Sequence, residues 1–152
     1  MLRDEINTAL REAMKARDAR RVSTLRLVNA ALKNADIDAQ GRGKPVLSDE
    51  EILPLLQKLI KQRQEAVELY DKAGRAELAA RERGEMEIIG AYLPKQMSEA
   101  EGKAAVADAI KATGASGIKD MGKVMAALKQ SYAGRMDFAK ASALVKSMLS
   151  GA

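Results

Sequence analysis

Gly117-Ile118-Lys119-Asp120-Met121-Gly122-Lys123-Val124-Met125 is the stretch on which the fold turns, because it admits two incompatible readings. Taken as a pattern, two glycines five residues apart with a lysine after the second have the spacing of a phosphate-binding P-loop. A P-loop also needs a strand before it and a Ser or Thr after the lysine to ligate magnesium. Position 124 is Val, and Ala112-Thr113-Gly114-Ala115-Ser116 upstream does not read as a strand. The nucleotide-binding reading fails on both counts.

The other reading is a short helix. Met121, Val124, Met125 and Leu128 fall at i, i+3, i+4 and i+7 and make one apolar face, with Lys119 and Lys123 on the opposite side. Gly134 stands where a left-handed helix end needs it. Asp137 is placed to cap a last helix holding Ala141, Leu144, Val145 and Met148 at helical spacing.

These residues closely resemble the tail signature of the GatB/YqeY family, which comprises small stand-alone proteins and the C-terminal domain of the B subunit of the tRNA-dependent Asp/Glu amidotransferase. The resemblance extends over the chain. Ser23-Thr24-Leu25-Arg26-Leu27 with Ala30-Ala31-Leu32-Lys33 is similar to the family's second helix. Ile60-Lys61-Gln62-Arg63 and Tyr70-Asp71-Lys72-Ala73-Gly74-Arg75 are similar to its third helix and exit turn. Ala91-Tyr92-Leu93-Pro94 with Gln96, Ser98 and Glu99 resembles the link between its halves. Gly102 departs from the family pattern, which has a larger apolar residue there, and leaves the packing of the fifth helix open.

The resemblance implies an all-α protein: an N-terminal domain of about four helices over residues 1–94 and a three-helix tail over 95–152. In the amidotransferase B subunit the corresponding region is implicated in holding the body of the tRNA, and the chemistry belongs to a separate catalytic domain that this chain lacks. The family label, a carbon–nitrogen ligase with glutamine as amido-N-donor, is accordingly read as inherited. What the resemblance implies is a non-catalytic tRNA-binding or tRNA-enzyme accessory protein. The alternatives are an interaction module that docks an aminoacyl-tRNA synthetase or amidotransferase, and a component of the ligase itself.

Composition narrows the options independently. Hydrophobic residues make up 47% of the 152 positions but aromatics only 3%, so the core must be built from aliphatic side chains and Met, which suits packed helices. There is no Cys and no His. Thiolate metal sites, the commonest general base and the commonest zinc ligand are thereby gone. No catalytic residue, metal or cofactor is expected. The N-terminus is charged from Arg3 onward, unlike a secretory signal, and no apolar run approaches the ~20 residues of a membrane helix. A monomeric cytoplasmic protein is expected.

Along the chain, a first helix ends near Asp18 and a second runs from about Arg21 to Ala35. Residues 37–47, containing Gly41-Arg42-Gly43-Lys44-Pro45, read as an exposed loop. Ser48 with Glu51 is a capping-box start for a third helix whose buried stripe is Ile52, Leu55, Leu56, Leu59, Ile60 and Val67. Pro54 predicts a kink there, or a true start nearer Leu53. A fourth helix covers about Arg75 to Tyr92, with Leu78, Met86, Ile89 and Leu93 inward and Gly84 weakening its middle. Ser98 with Glu101 opens the fifth.

Charge points to an anionic partner. Residues 1–94 hold 17 basic and 16 acidic side chains, whereas residues 95–152 hold 9 and 5, so most of the excess lies in the tail. The RNA-binding set expected there is Lys119, Gly122, Lys123, Lys129, Gly134 and Arg135, glycines letting a backbone approach and lysines supplying charge. Around the first inter-helix turn, following Arg11 and Lys15, it is Arg17, Arg20, Arg21 and Arg26. One Phe and three Tyr exclude extensive base stacking, so binding would read backbone and shape. Glu85 and Glu87, and Asp49 to Glu51, are too close in sequence on a helix to converge on one substrate atom.

Overall fold

Two reciprocal caps fix where two of the helices begin. The Ser48 and Ser98 hydroxyls accept the N–H groups of Glu51 and Glu101, and each glutamate accepts its serine's N–H in return. Both capping boxes expected from the sequence are thus formed. The computed structural model, described over residues 1–151, is all-α, with no strand among the described residues. In chain order the helices are α1 (Leu2–Lys15), α2 (Ala19–Gly41), α3 (Asp49–Lys72), α4 (Ala76–Gly90), α5 (Glu99–Thr113), a 3-10 turn (Ile118–Asp120), α6 (Met121–Tyr132) and α7 (Phe138–Leu149).

The chain divides into two compact units, Met1–Pro94 and Lys95–Ala152. In unit 1, α3 packs along α4 and α1 along α2. Its core is Ile6, Leu25, Val28, Leu32, Ile52, Leu56 and Ile89. In unit 2, α5, α6 and α7 pack on one another around Val106, Val124, Leu128 and Val145. Each fully buried aliphatic side chain contributes about 1.5–3 kcal/mol. Among the described residues no helix is long and apolar enough to cross a membrane.

Tertiary contacts moved several boundaries. α1 stops at Lys15 rather than near Asp18, because Arg17 takes a left-handed conformation with φ 57. α2 runs six residues past the expected Ala35 to Gly41, so residues 37–41 of the expected loop are helical. Asp36 explains the extension. Its carboxylate accepts from Arg3 Nη1 at 2.7 Å and Nη2 at 3.0 Å, and from the Leu47 N–H at 2.9 Å. One turn of α2 is thereby tied both to α1 and to the segment entering α3, and Ala39 beyond it is buried. α3 begins at Asp49 and runs unbroken through Pro54, so the later start is corrected. An exposed proline this near the start removes a single backbone hydrogen bond and leaves the cap intact.

Arg3 is the main reason that the Asp36 carboxyl is held below its ordinary pKa; the Leu47 N–H assists and burial opposes. A depressed carboxyl contributes stability that is present above the usual Asp range and lost as pH falls through its lowered value. Asp36→Asn is expected to cost about 2 kcal/mol at neutral pH. Its deficit relative to the parent should shrink on acidification, as read by urea melts at a series of pH values.

Candidate nucleic-acid interface

The opening stretch folds as its apolar spacing predicts. Val124 and Leu128 are fully buried, with Met121, Met125 and Tyr132 packed against the same core. The opposite arc of α6 faces solvent. At 100° per residue, Gly122, Ala126 and Gln130 fall between Lys129, about 20° from Gly122 and two turns further along, and Lys123, about 100° to its other side. Lys119, in the 3-10 turn, precedes Lys123 by one turn, and all three lysines are exposed. A Cβ at Gly122 would meet nothing within 4 Å, so helix packing is not what a glycine serves there. The result is an exposed arc with open space over Gly122 and a lysine to either side of it.

Asp120 is a neighbouring carboxylate, and it is engaged. It accepts the Ser116 N–H at 3.0 Å. That bond is the main cause of its lowered pKa; burial opposes it, and Lys123, Lys119 and the Gly117 N–H assist. The carboxylate therefore stays ionised while capping the turn. None of Lys119, Lys123 and Lys129 stands within ion-pair distance of a carboxylate among the described residues. The ion pairs Arg3–Asp36, Arg42–Asp38, Arg63–Glu85, Arg75–Glu77 and Arg83–Asp71 all belong to unit 1.

Gly134 and Arg135 have a different setting. Gly134 is buried with φ 76, and its carbonyl accepts from Gln96 Nε2 at 2.6 Å. The Arg135 carbonyl accepts the Met97 N–H at 2.9 Å, and Arg135 Nε donates to the Lys95 carbonyl at 3.0 Å. Its guanidinium lies 5.9 Å from the centre of the Tyr132 ring. This turn fastens the segment entering α5 onto the α6–α7 corner. The structure does not place it on the α6 lysine arc.

In unit 1, the corner between α1 and α2 is a Schellman turn: the Asp18 N–H reaches the Ala13 carbonyl and the Arg17 N–H the Met14 carbonyl. The same paired bonds end α2 at Gly43, α3 at Gly74 and α5 at Gly114, each a glycine at positive φ. α1 uses Arg17 where those helices use glycine. Arg20 and Arg21 follow and line a shallow recess with Asp18, Gly84, Glu87 and Ile88. A Cβ at Gly84 would stand 2.9 Å from Arg20 Nη1, so this glycine lets the guanidinium cross α4. Arg26 is exposed about 120° around α2 from Arg20 and is not brought into the corner.

A non-glycine residue held in the left-handed region costs about 1–2 kcal/mol, and such strain gathers at functional positions. Arg17→Gly is expected to raise the stability of unit 1 by about 0.5–1 kcal/mol. If the side chain contacts RNA, the same variant weakens RNA binding, so urea melts and RNA titrations move in opposite senses.

The expected carboxylate clusters have structural tasks. Asp49 accepts the Leu2 N–H, Glu51 closes its capping box, and Glu85 accepts from Arg63. Among the described residues no group of three or more acidic side chains could hold a metal ion. Of the methionines that would furnish an adaptable docking patch, Met136 is buried, Met121 and Met125 pack on the core, and Met148 is exposed. Sequence reasoning missed Arg63, which is 8% exposed, with Nε 3.1 Å from Glu85 Oε2 and Nη1 2.9 Å from the Leu59 carbonyl. The signal was available: Arg63 falls in the stripe of Ile52, Leu56, Leu59 and Val67.

Comparison with known proteins places the chain in a family. The family model described as Yqey-like protein matches residues 3–149. The chain is 40% identical over 84 residues to altered inheritance of mitochondria protein 41, mitochondrial, of Lachancea thermotolerans, covering 55% of this chain and 43% of that protein. To the protein of the same name from Eremothecium gossypii it is 38% identical over 101 residues, 66% of this chain and 54% of that one. To an uncharacterized Schizosaccharomyces pombe protein it is 32% identical over 93 residues, 61% and 72% of the two chains. The chain thus spans about half the length of the first two relatives. Their names are mitochondrial, which overturns the cytoplasmic expectation; that expectation rested on the lack of a secretory signal and of a membrane helix, and neither feature reports on organelle import. With a family model matched over nearly its whole length, the chain belongs to the Yqey-like protein family.

Proposed function

We propose that this protein is a non-catalytic RNA-binding accessory factor of tRNA metabolism that holds the sugar-phosphate backbone on the exposed arc of α6. The observation that carries the reading is the α6 arc itself: Lys119, Lys123 and Lys129 exposed, unpaired with carboxylates, and set around Gly122 with open space above its Cα. Phosphate contacts need dense positive charge and close backbone approach, and this arc offers both. The α1–α2 corner, with Arg17, Arg20 and Arg21, is the second basic surface and acts in the same sense. The choice of tRNA among RNAs rests on resemblance to the amidotransferase B-subunit tail.

Titration of labelled tRNA between about 50 and 200 mM salt tests this. Each phosphate neutralised contributes about −0.7 to −0.9 to the slope of log K against log salt. The α6 lysines alone therefore predict a slope of about −2 to −3, independent of tRNA sequence. Undetectable binding at the low-salt end, or a flat salt response, rejects the reading.

A further inference from the structure

A carboxylate stands among the lysines of the α6 arc. Asp120 follows Lys119 directly and precedes Lys123 by three residues, and both lysines help to hold its carboxyl ionised. An anion at this point repels the phosphates that the lysines attract. The turn itself does not require the charge. The Ser116 N–H that reaches Asp120 Oδ2 at 3.0 Å would be accepted equally by the side-chain oxygen of an asparagine.

The carboxylate also has acceptor capacity to spare. The Ser116 N–H and, at 3.5 Å, the Ser116 hydroxyl both go to Oδ2. A carboxylate offers about four lone-pair sites. With Ser116 and Gly117 served and the residue partly exposed, room remains for a donor arriving from solvent. Within a nucleic-acid strand the phosphate and sugar-ring oxygens only accept, whereas the ribose 2′-hydroxyl donates, and deoxyribose lacks it. Lysines hold RNA and DNA phosphates alike. A fixed anionic acceptor among them disfavours both backbones and offsets that cost only in the one with a donor. We propose that Asp120 is the residue by which the α6 arc distinguishes RNA from DNA, its carboxylate accepting the 2′-hydroxyl of a nucleotide whose phosphate lies on Lys119 or Lys123. This inference rests on the RNA-binding reading above and adds the sugar chemistry that the lysines leave unread. The bond is charge-assisted and therefore stronger than a neutral one.

The test compares a synthetic RNA hairpin with its 2′-fluoro counterpart, which keeps the A-form helix and every phosphate but has no hydroxyl donor. Both should show the same salt slope, and the full chain should hold the hydroxyl form about three- to tenfold more tightly. In Asp120→Asn that preference should vanish, and the 2′-fluoro hairpin should bind more tightly than it does to the parent, because the repulsion is gone. A role confined to the turn would alter stability and leave the ratio of the two affinities unchanged. Equal affinity of the parent for both hairpins, with a normal salt slope, overturns the assignment and leaves the RNA reading standing. A preference that persists in Asp120→Asn overturns it as well, since the hydroxyl is then read elsewhere. Failure of the parent to bind either hairpin at low salt removes the RNA reading itself, and this inference with it. Should Asp120→Asn fail to fold, Asp120→Ser, neutral and equally suited to a helix start, serves instead.

Discussion

Arg63→Ala is expected to lower the stability of unit 1 by about 3–5 kcal/mol, the largest effect of any single polar substitution in this protein. The Arg63 side chain is 10% exposed, and that of Glu85, its partner at 3.1 Å, is 17% exposed. Removing the cation alone leaves a largely buried carboxylate uncompensated and takes from the Leu59 carbonyl the second donor that the side chain supplied. Glu82 aggravates the loss. Its pKa is already raised, first by burial and then by the Glu85 charge, with Arg63 acting to lower it. A carboxyl raised in the folded state binds more protons there than in the unfolded chain. Stability therefore falls as pH climbs from the ordinary Glu range through the raised value. Without Arg63 that window widens, so the variant's deficit should be greatest near neutral pH and shrink on acidification. Urea melts across pH read both magnitude and sign. The double variant Arg63→Met/Glu85→Leu should return to within about 1–2 kcal/mol of the parent, because apolar side chains of similar volume replace a buried pair at little net cost. A deficit under about 1 kcal/mol for Arg63→Ala would mean that the pair is solvated and holds nothing together.

Lys119→Ala/Lys123→Ala/Lys129→Ala is expected to reduce the salt slope of tRNA binding by about 2–3, roughly one contact for each lysine. The substitutions lie on the exposed arc of α6, so the helical content and melting of unit 2 should stay at the parent's level. Affinity should fall uniformly across tRNA sequences, since lysines here read phosphate and not base edges. Gly122→Ala supplies a steric counterpart. It raises helix propensity by about 1 kcal/mol, yet its methyl enters the open space over position 122 beside the lysines. Weaker binding in a more stable variant marks close backbone approach at that point. Unaltered tRNA binding in the triple variant would remove the α6 arc from the proposal and leave the α1–α2 corner as its only support.

The helical character of the chain was legible because its signals are local. Ser48 with Glu51 and Ser98 with Glu101 are reciprocal caps within four residues, and both form. Val124 and Leu128 face inward, as a 3.6-residue period requires. Resemblance along the chain gave the family, and the matched family model agrees. Boundaries were less legible wherever a distant residue decides them. Asp36 looks like an ordinary helix-ending polar residue until Arg3, 33 positions earlier, is seen to grip it. Gly84 reads as a weak point in α4 until Arg20 crosses it.

The candidate interface divides the same way. Gly122, Lys123 and Lys129 share an exposed arc because one helix carries them, with Lys119 in the 3-10 turn just before it, and helical spacing is written in sequence. Gly134 and Arg135 were grouped with them by proximity in the chain, but the fold turns them to the Lys95–Met97 segment. Arg63 went unread as a buried cation because burial of a charge becomes tolerable only when its partner, on another helix, arrives with it.

Sequence alone determined the helices, their caps, the family and the lysine arc, since all of these depend on neighbours within a turn or two. Only the tertiary structure decided which polar side chains are structural, how far α2 extends, and that Gly102 borders open space. Those outcomes rest on contacts between residues far apart in the chain, and the energy of burying a charge or leaving a hollow is set by what the fold brings beside it.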